Sequence, residues 1–202
     1  MGKQLAIFIS YAFHPLWMPL YMILIFWNIN QQMLFINNSA WLYILLVVFM
    51  NTLLIPVMMI WLMKRLKVIN DIHLHSRKDR IYPFLITGIF YLTTWYLFHQ
   101  LELLNSMSLV FKLATILVSI ALLISLFWKI SIHSMSMGAM SAAILYLAVL
   151  HFLPIWPVYI VFILSGLVGF ARLKLKAHQA AQIYVGYVLG LLVVSVFFLG
   201  LP

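Results

Sequence analysis

In a chain of 202 residues, Arg172 is followed after five residues by His178 and after three more by Gln182, at the head of the last apolar segment. Lys129-Ile130-Ser131-Ile132-His133 stands at the head of another apolar segment. These residue types suit an anion. Guanidinium and ammonium groups hold phosphate oxygens, a hydroxyl adds a further donor, and imidazole exchanges a proton near neutral pH. A helix starting near Ser134 would contribute free backbone N–H groups at its positive end. Together the two clusters point to a phosphate site at a membrane surface. Each also has a plainer reading on its own. Arg172, Lys174 and Lys176 would anchor a helix end to lipid headgroups, and Lys129 to His133 would be a helix cap with an interfacial lysine.

Composition decides what must position these residues. Hydrophobic residues make up 66% of the chain, charged residues 7%, and mean hydropathy is +1.13, which is outside the range of a soluble domain and marks an integral membrane protein. Apolar stretches recur at roughly 12–28, 40–63, 82–100, 107–127, 134–152, 155–170 and 179–199, each long enough to cross a hydrocarbon core of about 30 Å as a helix. The expected fold is all-α, a polytopic membrane bundle of about seven transmembrane helices in a single domain over residues 1–202. The short alternating segments of a β-barrel are not seen. Pro15 and Pro19, with no small-x-small cleavage site, make the first stretch a kinked membrane helix rather than a secretory signal. The chain has no cysteine, which excludes disulfides, thiolate catalysis and cysteine-ligated metals.

Helical spacing groups the polar and small residues. His178, Gln182, Gly186 and Gly190 recur every four residues on one face, and Ser134, Gly138, Ser141 and Ala142 line a small-residue side of another helix. Such sides let helices approach closely. Counting crossings puts the N-terminus and the loops at 64–81, 128–133 and 171–178 on one face of the membrane, with every Lys and Arg except Lys112. By the positive-inside rule that face is cytoplasmic, and the expected location is a bacterial inner membrane.

The two clusters resemble motifs of the type 2 phosphatidic acid phosphatase superfamily: Lys-x6-Arg-Pro, Pro-Ser-Gly-His and Ser-Arg-x5-His-x3-Asp. Arg172-x5-His178-x3-Gln182 has the spacing of the third motif, and Ser131-Ile132-His133 aligns with Ser-Gly-His of the second. Ala171 and Gln182 replace the serine and aspartate of the third motif, and Ile130 and Ile132 replace the proline and glycine of the second. For the first motif, Ser76-Arg77-Lys78-Asp79-Arg80-Ile81-Tyr82-Pro83 is basic, but Arg80 is separated from Pro83, and His73 stands where the family has lysine. The similar region runs over about 77–190. The resemblance implies a six-helix core with one extra N-terminal helix.

It also implies a metal-independent phosphatase acting on a lipid phosphate, without a cofactor, through a phosphohistidine intermediate. His178 would attack phosphorus and His133 would protonate the leaving oxygen. Arg172, Arg80 and Ser131 would hold the phosphoryl oxygens, with Lys129 and one of Arg77 or Lys78 replacing the first-motif lysine. Gln182 would orient His178, accepting from its ring N–H without contributing charge. Candidate substrates are phosphatidate, phosphatidylglycerol phosphate, polyprenyl phosphates or diphosphates, and lipid A phosphates. Membrane lipids are the expected partners, and nucleic acid is not.

A protein that binds or transports an anionic lipid would use the same basic pocket. A haem or quinone protein would need histidines facing each other inside a bundle, whereas His133 and His178 lie in basic loops. His14, His99 and His151 are expected to be interfacial or packing residues, and His73 and His75 solvated.

Overall fold

A computed structural model describes residues 2–30, 37–72, 74, 76–101 and 105–200. His73, His75 and Glu102 lie outside the described residues. Among those described, all regular structure is helical. The α-helices are α1 (Lys3–Ala12), α2 (Met18–Asn30), α3 (Asn38–Phe49), α4 (Ile55–Arg65), α5 (Ile81–Gln100), α6 (Asn105–Phe127), α7 (Ile132–Val149), α8 (Trp156–Lys174) and α9 (Ala180–Leu199).

Seven stretches are long and apolar enough to cross a membrane: Lys3–Ile29, Asn38–Arg65, Lys78–Gln100, Met107–Phe127, Ile132–Val149, Trp156–Lys174 and Ala180–Leu199. An integral membrane protein has this pattern. The first stretch starts nearer the N-terminus than apolarity alone predicts, and it is not one continuous helix. Pro15 opens a 3-10 turn over Pro15–Trp17, with His14 as its N-cap and Nδ1 of His14 accepting the Leu16 N–H at 3.3 Å. Proline lacks the N–H a continuing helix needs, so the chain breaks there.

Packing divides the chain into two compact units, residues 1–18 with 129–202 and residues 19–128. In the second, α5 packs along α6, and Phe98 meets Phe111 edge-on with centroids 5.3 Å apart. Ile23, Trp41, Val48 and Met107 complete its buried cluster. One π turn, Met50–Leu54, joins α3 to α4, and there Asn51 Nδ2 donates to Thr94 Oγ1 at 3.1 Å.

The first unit is built on direct backbone contact between α7 and α9. A Cβ on Gly138 would lie 2.0 Å from the Tyr187 carbonyl oxygen, and one on Gly190 would lie 1.9 Å from that of Met135. Only glycine fits at such an approach. Ser131 meets Gly186, and Met135 meets Gly190 further along α9, so the two helices run parallel, while α8 connects them in sequence and packs chiefly on α7. Ser141 ties the three together. Its Oγ donates to Met137 O, accepts from Tyr187 OH at 3.1 Å, and lies 3.2 Å from Ser165 Oγ. Helix α1 packs on α8.

Helix α8 ends in a left-handed residue, Lys176, with φ of 51°. Ala177 N–H reaches back to Arg172 O at 3.1 Å and Lys176 N–H to Leu173 O at 2.9 Å, the pattern of a Schellman cap. This cap turns the chain so that Arg172 and His178 flank one reversal. The same geometry ends α4 at Lys67 and α7 at His151.

Candidate functional site

Two hydrogen bonds join the two sequence clusters. Lys129 Nζ donates to Ala177 O at 2.8 Å, immediately before His178. Ser131 N–H donates to Gln182 O at 3.1 Å, which fixes the start of α7 against the first turn of α9. Ser131 Oγ caps α7, accepting the Ser134 N–H at 3.4 Å and lying 3.1 Å from Ser134 Oγ. Gly186 allows this approach, because a Cβ there would lie 2.6 Å from Ser131 O. The cap reading of 129–133 therefore holds locally at Ser131. It does not exhaust the residues, since Ser131, His133 and His178 are all buried.

Gln182 sets the state of His178. Its Oε1 receives the Gln179 N–H at 3.3 Å and lies 2.9 Å from His178 Nδ1. A backbone N–H can only donate, so the atom receiving it is the amide oxygen, and His178 Nδ1 must then carry hydrogen. In the neutral ring that leaves the lone pair on Nε2. A histidine oriented in this way is arranged as a nucleophile or a base.

His133 is held from a different element. Its Nε2 lies 3.2 Å from Ser10 O, and its ring meets that of His14 edge-on, with centroids 4.9 Å apart at 87°. Arg172 is half-buried and within electrostatic reach of both His14 and His133, and His178 acts on His133 in the same way. Among the described residues of this unit, three buried polar atoms have no hydrogen-bond partner: Arg172 Nε, His133 Nδ1 and Ser10 Oγ. Such atoms are costly to leave unmet, and a bound polar group would satisfy them. Residues 1–18 and 129–202 contain Lys3, Lys129, Arg172, Lys174 and Lys176 but no Asp or Glu, so Arg172 has no carboxylate counter-ion within its own unit. The chemistry that fits is an anion from outside this unit.

The structure thus brings together Lys129, Ser131, His133, Arg172, His178 and Gln182 in one unit. Arg77, Lys78 and Arg80 belong to the other. There Arg77 Nη1 donates to the Leu126 and Phe127 carbonyls at the end of α6, and Arg80 Nε donates to Leu74 O at 2.9 Å. Lys78 is exposed. His99 stacks on Trp95 and His151 ends α7. His14 and Ser10 are the residues that sequence reasoning missed. His14 was expected only to pack or to sit at the interface, and its one distinguishing mark is a position next to a helix-breaking proline, as His133 and His178 also lie beside helix breaks. Among the described residues, no group of three or more His, Cys, Asp or Glu is placed to hold a metal ion. No family model, curated protein or solved structure matches the chain.

Proposed function

We propose that the protein is a membrane-embedded phosphatase of lipid phosphates, a divergent relative of the type 2 phosphatidic acid phosphatases with their six-helix core and one extra N-terminal helix. The observation that carries this reading is His178, whose Nδ1 is bound to Gln182 Oε1 at 2.9 Å, leaving Nε2 to attack phosphorus. Arg172 and the ammonium and hydroxyl groups of Lys129 and Ser131 stabilise the charge on the transferring phosphoryl group. His133 protonates the departing oxygen, and water then releases phosphate from His178. The absence of acidic side chains from this unit favours an anionic headgroup, and the apolar outer faces of the helices favour a substrate with a lipid tail. By charge bias the site faces the cytoplasm of a bacterial inner membrane.

The replacement of a carboxylate by Gln182 favours a second reading, a protein that binds the lipid phosphate without cleaving it. The test is release of inorganic phosphate from phosphatidate in mixed micelles by the purified chain. The phosphatase reading expects release that His178→Ala abolishes. Equal binding by wild type and His178→Ala, with release by neither, would leave the binder.

A further inference from the structure

The N-terminal helix contributes to the site from outside both sequence clusters. Ser10 and His14 each touch His133, and the type of each contact is informative. A carbonyl oxygen only accepts, so at 3.2 Å from Ser10 O the Nε2 of His133 carries hydrogen. The nitrogen left without any partner is Nδ1, and it is buried. Turning the ring over would break the bond to Ser10. His14 is itself fixed: its Nδ1 accepts the Leu16 N–H, so in the neutral ring its hydrogen is on Nε2. The break at Pro15 holds that ring at the end of α1.

We infer that Ser10 and His14 are positioning residues for His133, orienting its ring so that Nδ1 is the nitrogen that exchanges a proton with the substrate. The role rests on the phosphatase reading, whereas the orientation can be measured without turnover. In the chemical step, the bond from phosphorus to the ester oxygen breaks as the bond to His178 Nε2 forms. Once the anionic substrate has drawn a second proton onto His133, the proton on Nδ1 passes to the departing oxygen, and Nε2–H stays with Ser10. In the second step Nδ1 takes a proton from the attacking water. A residue that only orients this acid matters most when the leaving group is poor, because a stabilised phenolate departs without a proton.

His14→Asn tests this and protects the fold, since the asparagine oxygen can still accept the Leu16 N–H while the ring is removed. With the purified full chain, the variant should lose about 100-fold in turnover of phosphatidate while 4-nitrophenyl phosphate hydrolysis falls by less than about threefold. In 15N-histidine spectra, the His133 signal, assigned by its loss in His133→Gln, should show hydrogen on Nε2 in wild type and lose that single state in His14→Asn. Equal losses on both substrates, no loss on either, or a wild-type His133 with hydrogen on Nδ1 alone would overturn the inference. If wild type cleaves neither substrate, the phosphatase reading fails. The His133 spectrum of wild type and variant then decides the orientation by itself.

Discussion

In the loop between α4 and α5, basic side chains close the fold. Lys64 Nζ donates to Asn70 O, Arg77 caps the end of α6, Arg80 Nε binds Leu74 O, and Asp79 Oδ1 accepts from Asn70 N and Nδ2 at 3.1 and 3.2 Å. Around α7 and α9 the arrangement is different. Arg172 Nε, His133 Nδ1 and Ser10 Oγ are buried without partners, in a unit with no acidic side chain. Both regions read alike in the sequence as basic clusters able to supply phosphate-binding cations. What separates them is the partner of the arginine: Arg77 and Arg80 are engaged with backbone carbonyls in a loop that also holds Asp79, whereas Arg172 Nε is buried without a partner in a unit that has no Asp or Glu.

The helix seams of the two units differ in the same direction. Gly88 of α5 would place a Cβ 3.3 Å from Val118 Cγ1, a side-chain atom that can shift, whereas Gly138 and Gly190 abut backbone. The α7–α9 seam is therefore the rigid one, and it sets the spacing of Ser131, His133 and Gln182. Gly190→Ala should have the largest effect on stability, a loss of about 3 kcal/mol or more with collapse of any activity, while Gly88→Ala should stay within about 1 kcal/mol. Thermal unfolding of the purified variants in detergent would compare them, and similar losses at both positions would erase the distinction.

Gln182→Ala comes next. It removes the shared acceptor of His178 Nδ1 and Gln179 N–H, so phosphate release should fall by about 10- to 100-fold with about 1 kcal/mol lost from the start of α9. Gln182→Glu keeps the acceptor and adds charge, and its rate should match or exceed wild type. A smaller effect is expected of Arg77→Ala. Loss of the cap on α6 should lower stability by about 1 kcal/mol and leave kcat unchanged, whereas a rise in KM for the lipid would give Arg77 a phosphate-binding role after all. The smallest is Lys176→Gly, which relieves a left-handed residue at the end of α8 and should raise stability by up to about 1 kcal/mol.

How far the sequence was legible depended on the kind of signal. Apolar stretches located every span but the first to within a few residues, because a helix in lipid must satisfy its own backbone over a fixed length. The recurrence of Gly138, Gly186 and Gly190 announced a close helix seam, and the structure has backbone contact there. Four-residue spacing also grouped His178 with Gln182, which the structure joins, whereas Arg172 was grouped with them only by its place in the motif-like run. Long-range partners were not legible. Nothing local to Ser10 or His14 indicates His133, more than a hundred residues away. Nor does an arginine's type reveal that Arg77 has two carbonyls to bind at the end of α6.

The central claim is that His178 Nε2 is a nucleophile toward a lipid phosphate, and the most direct measurement is of the covalent intermediate. Purified protein mixed with phosphatidate and quenched in base within the first turnovers should carry a phosphoryl group on His178 that is stable in base and lost in acid. It should be absent from His178→Ala. Phosphate release without an adduct on His178, or neither release nor adduct from wild type, would contradict the account.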